Sequence, residues 1–456
     1  MRLLRWLVCC LAVQLAFAAD PTPALFRDGD VVCFIGDSIT HSRKYHGYLY
    51  DYYLTRFPER RIRFVNCGIS GDSAGGALQR LEWDVLPHRP TVASIMLGMN
   101  DVGRGLYGKE NPDEATLKAR EAALENYRNN MRRLVQTLAE RAAPTFIFVR
   151  PSPYDQTVDC PTPNLFGVNE ALGRCGDFVT ELARERQAGV VDFHGPMTAL
   201  NLAQQRQDPK FTLVGTDRVH PGDLGMMVMA YLYLRAQGAP ALVSRVAVNA
   251  ATAETKAENA TVSDVVREPS LSFSVAARAL PWPIEPQAAG ALALLPIEQE
   301  LNQELLTVSG LPAGSYRLSI DGQAVGVYDQ AALGAGINLA LNGQTPQARQ
   351  AMELHALNEQ RRNLEVRLRS VAQIDIMLDR AKVTKDDPAA VEAYFATSLE
   401  RFKASGMDGY FGSQFENWRK TKPQSAAILE QIENLTRTLW TKNQPLPRRY
   451  ELQPQA

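Results

Sequence analysis

Five residues have side chains or backbone groups that together can transfer an acyl group: Ser38, Gly71, Asn100, Asp217 and His220. A serine hydroxyl attacks a carbonyl only when a base takes its proton. His220 is the candidate base. Asp217 stands three residues before it. In a turn or helical stretch that spacing lets the carboxylate accept the ring Nδ1–H, which fixes the tautomer and stabilises the imidazolium. The tetrahedral intermediate also needs donors for its oxyanion. The backbone N–H groups of Ser38 and Gly71 and the side-chain amide of Asn100 are the candidates, each donor of this kind being worth about 3–4 kcal/mol. Glycine at position 71 lets the backbone approach a ligand with no Cβ in the way.

These groups act together only if the fold collects them. Val31 to Ile35 is a short, largely β-branched apolar run ending at Gly36-Asp37-Ser38, and reads as a buried parallel strand. Further strands are expected over 62–67, 92–97, 145–149 and 190–193, alternating with helices near 45–57 (amphipathic and aromatic-rich), 74–86, 112–141, 168–187 and 223–237. In the longest of these helices Leu124, Tyr127, Met131, Leu134 and Leu138 recur at helical spacing. Strands alternating with helices predict a five-stranded parallel sheet between helical layers, an α/β architecture. Ligands bind such sheets at the carboxyl ends of the strands. Ser38, Gly71 and Asn100 follow strands one, two and three, and a late loop brings Asp217 and His220 to the same edge. Taken alone, Ser38 reads first as a helix N-cap.

Several residues compete for these roles. Gly71-Asp72-Ser73 repeats the Gly-Asp-Ser triplet, but does not directly follow an apolar strand. Asp37 reads as a residue that orients the turn. His194 is the rival base; Val191 stands three residues before it, although Asp192 is close, and a structural hydrogen bond explains it better. His41 and His46 follow the nucleophile and either line the cleft or pack. Arg104 and Tyr107 follow Asn100 and, with His41, are candidate substrate contacts. His88 and His355 read as structural or exposed.

The set resembles the SGNH, or GDSL, hydrolase family. The matching residues are Gly36-Asp37-Ser38, Asn66-Cys67-Gly68-Ile69-Ser70-Gly71, Gly98-Met99-Asn100-Asp101 and Asp217-Arg218-Val219-His220-Pro221, in family order over about 28–238. The resemblance implies Ser38 as nucleophile, Ser38, Gly71 and Asn100 as the oxyanion hole, and Asp217 and His220 as acid and base. It also implies a three-layer, flavodoxin-like α/β/α sandwich with no metal or organic cofactor. Members of the Gly-Asp-Ser-Ile-Thr type often deacetylate carbohydrates. The leading expectation is therefore a secreted esterase acting on the O-acetyl esters of a carbohydrate, with a small-molecule or polysaccharide substrate. The first alternative is a lipase-like, lysophospholipase or thioesterase activity on longer acyl chains. The second is a carbohydrate-binding protein on a hydrolase scaffold, for which the placement of Trp282, Tyr328 and Trp418 is the discriminator.

The remainder of the chain bounds these expectations. Its 456 residues exceed one ordinary core, and 45% hydrophobic with 22% charged residues is a globular balance. A net charge of −1 gives no reason to expect nucleic acid as a partner. Residues 1–19 read as a signal peptide: Arg2 and Arg5, an apolar run from Leu7 to Phe17, then Ala16-Phe17-Ala18 before cleavage. A secreted or periplasmic protein without stable membrane insertion is expected. Of the cysteines left, Cys160 and Cys175 flank a Pro/Asn/Gly-rich loop and are able to pair, while Cys33 and Cys67 fall in buried strands. No Cys/His spacing reads as a zinc site. Residues 240–341 form a small β-rich unit, with a type I′ hairpin at Asp321-Gly322. Residues 345–443 are helical, opened by Thr345-Pro346 and broken at Gly406-Met407-Asp408-Gly409, and 444–456 form a loose tail.

Overall fold

The computed structural model describes residues 22–42 and 44–455. The signal peptide expected over 1–19 lies outside the described residues.

The first unit is built on five parallel strands, β1 (Val31–Gly36), β2 (Arg63–Gly68), β3 (Val92–Met96), β4 (Thr145–Arg150) and β5 (Gly189–Asp192), in the order β2-β1-β3-β4-β5. Every residue of β3, and all of β1 after Val31, is buried, as expected of strands covered on both faces. The helices are α1 (Ser38–His41), α2 (Lys44–Arg56), α3 (Ala74–Arg80), α4 (Glu114–Arg141), α5 (Val168–Arg186), α6 (His194–Gln205) and α7 (Asp223–Ala236). The strand order reverses between β1 and β3, and a switch of this kind opens the crevice in which ligands bind.

Two expected helices differ in detail. The segment expected as one helix over 74–86 is α-helical only to Arg80 and then opens into a π-turn at Leu81–Val85. Helix α2 is not amphipathic: Tyr45 to Arg56 are buried throughout. Its polar side is covered by α11 (Pro346–Arg380), from which His355 Nδ1 and Asn358 Nδ2 reach the Asp51 carboxylate at 2.8 and 2.7 Å.

The β-rich region is larger than a small unit. One sheet holds β6 (Leu242–Asn249), β7 (Thr255–Glu258), β10 (Gln303–Ser309) and β13 (Ile337–Asn338). A second holds β8 (Ala260–Val266), β9 (Leu271–Ala277), β11 (Ser315–Ile320), β12 (Gln323–Asp329) and β14 (Arg448–Gln455). Val246, Val308, Phe273, Leu318 and Leu452 share one core between them. The expected hairpin is present: Asp321 and Gly322 both have positive φ, 50° and 75°. The expected loose tail is corrected, because β14 pairs with β11 on one side and β9 on the other. Tyr450 and Leu452 point into the core while alternating residues face out.

Between β9 and β10 the chain returns to the first unit. There Leu280, Trp282, Ile297 and Leu301 join the main core, and the short helices α8 (Ala291–Leu294) and α9 (Ile297–Leu301) form. Helix α10 (Gln330–Ala335) closes the sandwich region. The C-terminal helices are α11, α12 (Pro388–Lys403), α13 (Asp408–Thr421) and α14 (Ser425–Lys442). The expected break at Gly406 separates α12 from α13. Trp418 packs in the helical core, Trp282 in the main core and Tyr328 against the sandwich core, so these three aromatics form neither a cleft wall nor an exposed row. Cys33, Cys67, Cys160 and Cys175 are all free thiols, so Cys160 and Cys175 do not pair. Among the described residues no helix is long and apolar enough to cross a membrane.

Candidate active site

Strand β1 ends in a turn that leaves no room for side chains. A Cβ on Gly36 would fall 2.8 Å from the Met96 carbonyl oxygen, so the turn before Ser38 packs directly on β3. Asp37 then caps α1 by accepting the Ile39 N–H at 2.9 Å. Burial pushes its carboxyl up to about 6, which suits an orienting residue rather than the working carboxylate. The N-cap reading of Ser38 is therefore corrected: Asp37 is the cap, Ser38 is the first helical residue, and its hydroxyl is left to face His220.

Ser38 Oγ lies 2.8 Å from His220 Nε2, and His220 Nδ1 lies 2.5 Å from Asp217 Oδ2. The other oxygen, Asp217 Oδ1, accepts the backbone N–H groups of Val219 and His220 at 3.0 and 2.9 Å. Partial burial would raise the Asp217 carboxyl, but the bonds from the His220 ring and from these two N–H groups outweigh it and hold the group at about 2. The carboxylate therefore stays ionised and acceptor-only beside the imidazole. Arg218, between them, holds a positive φ of 67° and is buried. Its guanidinium donates to the carbonyls of Asp155, Val158 and Thr162, each at 3.0 Å. This pins the Asp217–His220 loop to the loop after β4. The side chains of His220 and Asp217 are 47% and 53% exposed, so the site opens to solvent.

Gly71 lies in the turn after β2 with φ +79°, and a Cβ there would meet nothing within 4 Å. Backbone conformation, not crowding, requires the glycine. Asn100, in the turn after β3, donates one Nδ2 hydrogen to the Asp72 carbonyl at 2.8 Å and accepts from Arg104 at 3.3 Å. Its second Nδ2 hydrogen is left for another acceptor. The structure thus joins Ser38, His220 and Asp217 in one hydrogen-bonded chain, and ties Asn100 to the residue after Gly71.

The other candidates sort cleanly. Arg104 stays half-buried beside Asn100, where a substrate contact is feasible. Tyr107 is only 3% exposed, with the Arg120 guanidinium 4.0 Å from its ring centroid, and is corrected to a packing residue. His41 is buried, and its Nδ1 accepts the Ser70 N–H at 3.1 Å, so it braces the turn after β2 rather than lining the cleft. Ser73 caps α3, its Oγ accepting the Gly76 N–H at 3.2 Å, which removes it as a rival nucleophile. His194 is bonded to the Asn169 carbonyl at 2.9 Å, a structural role, and burial lowers its pKa. His46 stacks on Phe34, with ring centroids 5.0 Å apart, and His355 is buried. Among the described residues no cluster of three or more His, Cys, Asp or Glu is arranged to hold a metal.

Sequence reasoning missed Arg80, Arg218, Arg369 and Gln373. The only available signal for Arg218 was its place inside the Asp-x-x-His stretch. Arg369 and Gln373 carry no local signal, because they lie about 300 residues along the chain from the turn they contact.

Comparison with known proteins agrees with this geometry. Residues 34–228 match the model of the GDSL-like lipase/acylhydrolase family. An acetylxylan esterase of Geobacillus stearothermophilus is 28% identical over 231 residues, which cover 46% of this chain and 94% of that protein. The solved structure of a gut microbial diltiazem-metabolizing enzyme superposes with a TM-score of 0.88 at 31% identity, covering 96% of this chain and 100% of that one. The chain belongs to the GDSL hydrolase family and is an ester hydrolase of that class. The match to that solved structure also spans the sandwich and the C-terminal helices, so the whole architecture is shared with that relative.

Proposed function

We propose that the protein is a secreted serine esterase that removes O-acetyl groups from carbohydrates. The observation that carries the reading is the Ser38–His220–Asp217 hydrogen-bonded chain, with links of 2.8 and 2.5 Å, at the switch point of the sheet. In this mechanism His220 Nε2 takes the Ser38 proton as Oγ attacks the ester carbonyl. The N–H groups of Ser38 and Gly71 and the free Nδ2 hydrogen of Asn100 receive the oxyanion. The intermediate collapses, the sugar hydroxyl leaves with the proton held by His220, and an acetyl-Ser38 ester remains. Water, deprotonated by His220, then releases acetate and restores Ser38. Asp217 stays ionised throughout and stabilises the imidazolium.

The sugar as alcohol is supported by the likeness to an acetylxylan esterase over the catalytic unit. Half-exposed His220 and Asp217 side chains also suit a bulky alcohol and a short acyl group. Export is proposed from residues 1–19, and a mature chain starting at Ala19 or Asp20 on N-terminal sequencing supports it; an intact Met1 in the exported fraction opposes it. The test of the activity compares acetylated xylan, long-chain p-nitrophenyl esters and diltiazem as substrates for the wild type and Ser38→Ala. The proposal expects acetate release from the glycan to dominate and to vanish in the variant. Preference for long acyl chains sinks the substrate class, and unchanged turnover in Ser38→Ala sinks the mechanism.

A further inference from the structure

We propose that helix α11 is a working part of the hydrolase, with Arg369 and Gln373 as positioning residues for the oxyanion turn Gly68–Ser73. The inference rests on the reading of Gly71 and Asn100 as oxyanion donors.

An oxyanion donor is useful only if it is already aimed when charge develops. Gly71 cannot be aimed by packing, since nothing lies within 4 Å of where its Cβ would stand. Its orientation must come from the residues on either side, which His41 holds at the Ser70 N–H and which α11 grips at the Gly68 and Ser70 carbonyls. Arg369 Nε donates to the Gly68 carbonyl at 3.1 Å. Gln373, one helical turn later on the same face of α11, donates to the Ser70 carbonyl at 3.2 Å. On the far side of Gly71, the Asp72 carboxylate accepts Arg80 Nε at 2.8 Å, and the Asp72 carbonyl accepts Asn100.

The two grips are one network. Arg369 binds both oxygens of Asp84, at 2.5 and 2.8 Å, and Arg80 binds the same carboxylate. Arg80 also donates to the Cys67 carbonyl at 2.8 Å. The side chains of Arg80, Asp72, Asp84 and Arg369 are all at most 9% exposed. Arg80 and Asp84 stand four residues apart, the spacing that puts two side chains on one helical face. If the turn shifted, buried charges would lose partners, which is strongly unfavourable, so the turn is confined to one arrangement. Bidentate guanidinium–carboxylate geometry adds direction as well as attraction. Both α11 residues lie beyond 34–228, so this support comes from the part of the chain outside the matched hydrolase segment.

The experiment uses the full-length protein and the variants Arg369→Lys, Arg369→Met and Gln373→Ala, with Asn100→Ala as reference. For each, the active-site concentration is titrated with a fluorophosphonate, and kcat and KM are measured on p-nitrophenyl acetate. The inhibition constant of phenylboronic acid, whose tetrahedral serine adduct mimics the intermediate, is measured alongside. The inference expects kcat per titrated site to fall about 10-fold in Arg369→Lys and Gln373→Ala, a fraction of the roughly 100-fold or greater loss from removing a donor outright. It expects KM within about twofold and a boronic acid inhibition constant raised by the same factor as kcat falls. A purely architectural helix lowers the melting temperature or the titrated fraction, but leaves kcat per site and the inhibition constant unchanged. That result in Arg369→Lys and Gln373→Ala overturns the inference. Should Arg369→Met fail to fold, Gln373→Ala, which removes one neutral hydrogen bond, decides. If Asn100→Ala itself leaves kcat unchanged, the oxyanion assignment fails and the inference with it. A large loss in Asn100→Ala beside unaffected helix variants overturns the inference alone.

Discussion

The two halves of the candidate site are held in contrasting ways. The nucleophile side, Ser38 with His220 and Asp217, is held from within the catalytic unit: local bonds shape its two turns, Arg218 ties the second to the loop after β4, and its base and acid are half exposed. The oxyanion side is braced by buried ion pairs that cross from the catalytic unit to a helix near residue 370. The first half takes its bonds from the catalytic unit alone. The second needs most of the chain. A motif match over the catalytic unit can therefore be correct about the chemistry and still omit the residues that hold part of the site in place.

The contrast is broken most severely at the base. His220→Ala is expected to lower kcat on a short-chain acetate ester by about 10⁴-fold or more, with little change in melting temperature, because its side-chain bonds are exposed to solvent. Loss of fold in that variant would show that the two halves are not separable. Next in size, Asn100→Ala is expected to lower kcat about 10²–10³-fold with KM little changed. An equal loss spread over KM would assign Asn100 to ground-state binding instead.

The seam between α11 and the catalytic unit is expected to respond to pH. Burial opposes the charged form of His355, but Asp51 and Glu285 outweigh it and raise its pKa to about 9, with the Arg362 charge acting the other way. A group raised in the folded state stabilises fully below its unfolded value, near 6.5, and that contribution is lost as pH rises towards about 9. The hydrogen bond from His355 chiefly holds Glu285 down at about 2, against burial and with help from Tyr48 and Lys44, so its contribution is present above about 4.5 and lost as pH falls towards 2. Thermal denaturation should show wild-type stability falling by about 2–3 kcal/mol more than that of His355→Gln between pH 6.5 and 9. Parallel curves would remove the charged clamp from the account. The smallest effect belongs to Tyr107: Tyr107→Phe keeps the packed ring and is expected to leave KM within about twofold. A several-fold rise in KM would return Tyr107 to the substrate cleft.

What was legible in the sequence follows the same division. The strands that end at Ser38 and Asn100 are buried on both faces, and the last three residues of the strand before Gly71 are buried too, so all three end in glycine and polar residues after apolar positions. The Asp217–His220 pair is local and survives as a spacing. Tyr107 and His41 were misplaced because proximity to a motif along the chain does not say which way a side chain turns. The one is packed under Arg120, and the other is turned onto Ser70. Strand β14 was read as a tail because Arg448-Arg449-Tyr450-Glu451-Leu452 is mostly polar. Only Tyr450 and Leu452 face the core, and the partners that complete it lie more than a hundred residues upstream. Arg369 stands in no motif, and only the fold sets it against Asp84.

The most direct test of the central claim is where a covalent acyl-mimic goes. A fluorophosphonate reacts with an activated serine, and intact-mass analysis followed by peptide mapping locates the adduct. The account expects one adduct per chain, on Ser38, absent from Ser38→Ala and greatly slowed in His220→Ala. An adduct on Ser73 or elsewhere, or full labelling of Ser38→Ala, would contradict it.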